Sequence, residues 1–141
     1  MPDDQGAELT TRRTVLTLEG ARRISAAAEA EARRQGWNVC IAVVDASGIL
    51  VHFVRRDDTQ AASAEIAIGK ARTAAMFRRP TRAMEESIAG GRTALMSFPA
   101  IPVTGGLPLV ADGTVIGGIG VSGVHSDQDE IVARAGAKLL E

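Results

Sequence analysis

Gly105–Gly106–Leu107–Pro108–Leu109 and Gly113–Thr114–Val115–Ile116–Gly117–Gly118–Ile119–Gly120–Val121–Ser122–Gly123 form the stretch whose reading decides the fold of this chain. Apolar residues on both sides of Asp112–Gly113 predict a β-hairpin, Val103–Ala111 and Val115–Gly123, because Asp and Gly suit a tight turn. Glycine inside a strand costs about 0.5–1 kcal/mol relative to alanine. Four glycines between 117 and 123 therefore need a reason. Three reasons stand. The strand bulges, a ligand rests on it, or a helix packs against it so closely that a Cβ has no room.

Upstream, Val39–Asp45 and Ile49–Arg55 read as a second hairpin through Ala46–Ser47–Gly48. Its strands are apolar on both faces, which predicts a sheet covered on both sides. Helical spacing runs from Leu18 to Gln35 behind Thr17, with Gly36 as its stop. A second long helix spans Thr59 to Phe77 and is rich in small residues, so another backbone can approach it. Pro80 opens a short helix, Thr81 to Ala89, and a last helix runs from Asp127 to Leu140. The order α-β-β-α-α-β-β-α predicts an α+β fold, one antiparallel sheet with helices on both faces. Residues 1–13 are polar and aperiodic and read as a mobile leader, leaving 14–141 as a single domain.

Bulk properties narrow the function classes. The 141 residues suffice for one core without disulfides, and Cys40, the only cysteine, lies in an apolar run and reads as a buried, inert thiol. A net charge of −1 with no long run of one sign gives no electrostatic case for nucleic acid or a membrane surface. Aromatic residues make up 3%, so the core is aliphatic. Arg12–Arg13 is followed by Glu19, Arg22 and Arg23 rather than an uncharged export segment, and the chain reads as cytoplasmic.

Groups able to carry chemistry are few. His52 lies in an apolar strand, as a core imidazole or as a metal or haem ligand. His125 lies at a strand–helix junction. Ser126 and Asp129 have the spacing of a capping box, which would account for both. Lys70 follows Gly69 in the small-residue helix, and Arg55 ends a strand beside two aspartates. No P-loop, GxSxG elbow, CxxC pair or HExxH motif is present.

Val43–Val44–Asp45–x–x–Gly48, Lys70–Ala71–x–Thr73–Ala74, Gly105–Gly106–Leu107–Pro108 and Gly117–x–x–Gly120–Val121–Ser122–Gly123 with Gln128–Asp129 occur in this order. In that combination the chain resembles the haem-degrading and haem-binding family typified by GlcG and HbpS, and the C-terminal domain of PduO-type proteins. The resemblance covers Thr17 to Leu140. It implies a three-layer α/β/α domain of profilin-like arrangement, homo-oligomers, and haem or a related tetrapyrrole as ligand, with degradation in some members.

These readings place a site between strand Gly117–Gly123, loop Gly105–Gly106 and the Lys70 face of the second long helix. Arg55, Lys70, Gly105, Gly106, Gly118 and Ser122 are its candidate ligand contacts, and His52 the candidate haem-iron ligand. His125 and Asp129 form a candidate acid–base pair within hydrogen-bonding reach at the rim. That pair defines the alternative function, a small-molecule lyase, isomerase or hydrolase.

Overall fold

The computed structural model describes residues 8–141. Of the expected leader, residues 1–7 lie outside the described residues, and 8–13 are exposed. Helix α1 (Leu18–Gln35) starts at Thr17, whose hydroxyl accepts the Gly20 N–H at 2.9 Å. It stops at Gly36, whose φ of 75° lets its N–H reach the free carbonyls of the last turn. Strands β1 (Cys40–Asp45) and β2 (Leu50–Arg55) follow, then helices α2 (Ala62–Phe77) and α3 (Thr81–Ala89). A short 3₁₀ turn at Thr93–Ser97 leads to β3 (Gly106–Ala111), β4 (Thr114–Ser122) and α4 (Ser126–Ala137).

Both expected hairpins form, each through its turn chemistry. Asp45 Oδ1 accepts the N–H groups of Ser47 and Ile49 at 2.9 and 3.0 Å, while Gly48 takes φ 82°. In the other turn Asp112 and Gly113 both have positive φ, 52° and 73°, the pattern of a two-residue turn matched to strand twist.

Several boundaries differ from the sequence reading. Helix α2 begins at Ala62 rather than Thr59, because Asp58 takes φ 64° and the Thr59 N–H closes a turn onto Arg56. Strand β3 begins at Gly106 rather than Val103. The N–H groups of Thr104 and Gly106 are taken by the side chains of Glu85 and Thr81 on α3. The last helix starts at Ser126 and ends at Ala137, with a 3₁₀ turn over Lys138–Leu140.

The strands form one sheet in the order β2-β1-β4-β3, and every neighbouring pair is antiparallel. Helices α1 and α4 cover one face, where Ala21, Ile24, Ala28, Val132 and Ala133 pack on Val39, Ile41, Val43, Ile119 and Val121. Helix α2 covers the other, with Ala67, Ala71 and Ala75 against Cys40, Ala42 and Val44. The result is the three-layer sandwich expected.

The glycines of β4 explain how α2 can lie so low. A Cβ on Gly120 would meet the Ala67 carbonyl and the Ala71 backbone, and one on Gly118 the Ala71 carbonyl and Ala75. On β3, Gly106 pairs with Gly120 and lies under the Lys70 carbonyl. These three positions form a floor without side chains, on which an alanine-rich helix rests backbone to backbone.

Candidate functional site

The structure brings Lys70, Gly105, Gly106 and Asp129 together, and it seals them. Lys70 and Asp129 are each 2% exposed. The Lys70 ammonium donates to Asp129 Oδ2 at 3.1 Å and to the Val121 carbonyl at 2.9 Å. Asp129 Oδ1 accepts the Val124 N–H at 3.1 Å, so both carboxylate oxygens are engaged. Gly105 closes over the pair with φ 131°, and a Cβ there would lie 2.7 Å from the Lys70 nitrogen. Thr81 and Glu85 hold this loop down through Gly106 and Thr104. Burial pushes the Asp129 carboxyl above the usual carboxylate range, and the Lys70 charge and the Val124 N–H pull it back. No cleft opens here among the described residues; α2 itself fills the expected space.

The expected acid–base pair is likewise corrected. His125 is exposed, and among the described residues no side-chain hydrogen bond joins it to Asp129, whose N–H meets only the His125 carbonyl, at 2.8 Å, in the first turn of α4. It occupies the N-cap of α4, and its N–H donates to Gln128 Oε1 at 3.3 Å. The capping register is therefore 125/128 rather than Ser126/Asp129, which frees the Asp129 side chain to turn inward.

Arg55, Cys40 and Ser122 lie side by side at one end of three strands, Arg55 exposed and Ser122 buried. Burial pushes the Cys40 thiol up, which agrees with an inert cysteine. His52 stands apart. It pairs with Val43, whose side chain lies in the core under α1, while its neighbour Phe53 packs on the α2 side. Cross-strand partners share a face, so the sheet lies between His52 and α2. Its Nδ1 is buried without a hydrogen-bond partner.

The sequence reading missed a groove of about 470 Å³ on the outer side of α2, lined by Glu65, Ile68, Arg72 and Met76 and by the segment Pro99–Ile101. Gly69 makes it possible, since a Cβ there would meet Ile101. Thr73 fixes the far wall. Its hydroxyl accepts the Ile101 N–H at 2.8 Å and donates to the Gly69 carbonyl at 2.7 Å. Arg72 makes no hydrogen bond or ion pair among the described residues. The signal was present as the half-buried Ile68 and the exposed Arg72 and Met76, one stripe at spacing i, i+4, i+8 beside the buried alanines.

A four-stranded antiparallel sheet, roofed by two helices on one face and by a glycine-bedded helix on the other, defines the class as an α/β/α sandwich. Within that class the model of the family described as "Haem degrading protein HbpS-like" matches residues 16–138, and the chain belongs to that family. It is 43% identical to Protein GlcG of Escherichia coli K12 over 111 residues, 78% of this chain and 83% of that protein. It is similar to the crystal structure of a double mutant of Streptomyces reticuli HbpS, with a TM-score of 0.87 and 36% identity over 96% of this chain and 93% of that one. A PduOC–haem complex superposes with a TM-score of 0.80 and 27% identity, covering 89% of this chain and 94% of that one. No helix among the described residues is long and apolar enough to cross a membrane.

Proposed function

We propose that this chain binds haem or a related tetrapyrrole. The observation that carries this reading is the agreement of its fold, over nearly its whole length, with that of a relative solved as a haem complex. Such a ligand is a flat apolar plane with carboxylates on one edge. The α2 groove fits that chemistry, with Ile68, Met76, Pro99 and Ile101 as apolar walls and an unpaired guanidinium on Arg72. Bound haem would supply an iron centre, and the chain's residues would hold the macrocycle and neutralise a carboxylate.

Titration with haemin tests the reading. The expected result is a saturable shift of the Soret band near one equivalent per chain; no shift in either redox state refutes it. Loss of the band in air with a reductant would extend the proposal from binding to degradation. The acid–base alternative draws no support from the geometry, because Asp129 is buried and committed to Lys70 and Val124. A cytoplasmic location and a homo-oligomeric state belong to the same proposal, and cell fractionation and light scattering test them.

A further inference from the structure

Resting on the tetrapyrrole reading, we infer that the α2 groove holds the ligand by its carboxylate and its apolar plane, through Arg72 and without an imidazole on the metal. The groove is polarised along the helix. Glu65 stands at one end, and Arg72 lies seven residues on, roughly 10 Å away at 1.5 Å per residue. A carboxylate is attracted to the Arg72 end and repelled from the Glu65 end, so charge sets the ligand's direction. Ile68 between them and Met76 one turn beyond Arg72, with Pro99–Ile101 opposite, offer surface for a plane rather than polar partners. The one uncharged polar side chain on the wall, Thr73, is already saturated by Gly69 and Ile101.

Neither histidine reaches this groove. The sheet separates it from His52, and His125 caps α4 and is not among the lining residues. The groove therefore recognises the organic part of the ligand. Iron adds little to the affinity, and tetrapyrroles without metal are bound as well.

The experiment compares haemin, haemin dimethyl ester and metal-free protoporphyrin on the full chain and on R72E, R72Q, H52A and H125A. Arg72 is exposed and makes no hydrogen bond or ion pair among the described residues, so its variants keep the fold, which far-UV circular dichroism verifies. The expected result is haemin and metal-free protoporphyrin within about threefold in Kd on the unmodified chain. R72E weakens both at least tenfold, R72Q weakens them less, and the dimethyl ester is indifferent to either change. H52A and H125A stay within twofold. Undiminished binding by R72E, loss of binding in H52A or H125A, or a tenfold preference for the iron form each overturns the inference while leaving tetrapyrrole binding intact. Failure of the unmodified chain to bind any of the three overturns the underlying reading as well.

Discussion

Lys70 and Asp129 put a full ion pair where apolar side chains would ordinarily pack, and its energetics follow from what each partner leaves behind. Removing one charge strands the other in a low-dielectric interior, which costs about 3–5 kcal/mol. K70M and D129L should each lose stability on that scale in urea denaturation. The double variant should be more stable than either, though below the parent, because the Val124 N–H and the Val121 carbonyl lose partners. Additive losses would show that the pair is not coupled. The pH dependence of K70M has a definite sign. Without the ammonium, burial raises the Asp129 pKa further above its unfolded value, so the folded state binds the proton more tightly. Stability from this group is then present in acid and lost as pH rises through the folded pKa. The deficit of K70M relative to the parent should shrink as pH is lowered from neutral, and a deficit that grows in acid would contradict the assignment. Sequence reading could pick out both residues but not their meeting. They lie 59 positions apart, and only the descent of α2 onto β4 joins them.

Helix α2 shows why glycine in a strand is ambiguous until the opposing surface is known. Gly118 and Gly120 share one face of β4 by the period of two, and that face receives Ala67, Ala71 and Ala75. Close packing and ligand contact require the same residue, so the strand alone could not separate them; the alanine run in α2 held the deciding information. G118V, which at first sight tests ligand contact, tests helix seating. Its side chain would meet the Ala71 carbonyl and lie about as close as 3.1 Å to the Ala75 nitrogen, atoms that cannot turn aside as a flexible side chain can. A loss of about 3 kcal/mol or more in unfolding free energy is expected. Near-parent stability would mean that α2 does not rest on β4 as described. Turns and caps were more legible, because Asp45–Gly48, Asp112–Gly113 and Thr17 act through bonds a few residues away. The groove was not, since Pro99–Ile101 is irregular backbone pinned to the distant Thr73.

At the scale of the whole molecule, the apolar surface left open bears on assembly. Ile49 is 62% exposed, Leu50 43% and Met76 51%, and the Met76 side chain lies against Gly48 of the β1–β2 turn, one residue before Ile49. A cluster of large aliphatic side chains held in water is characteristic of a surface that another protein covers. With an aliphatic core built largely of Ala and Val, shared burial would add to a modest interior. Homo-association explains this patch without invoking a second gene product, and it is the state proposed above. Multi-angle light scattering at micromolar concentration should give a mass at least twice the 14.7 kDa of the chain. I49K places a charge in the patch at a turn position that the fold leaves in solvent, so it should move the population toward monomer without lowering the unfolding midpoint. A monomer in the unsubstituted chain would refute the assembly. An oligomer indifferent to I49K would move its interface to another face of the sandwich.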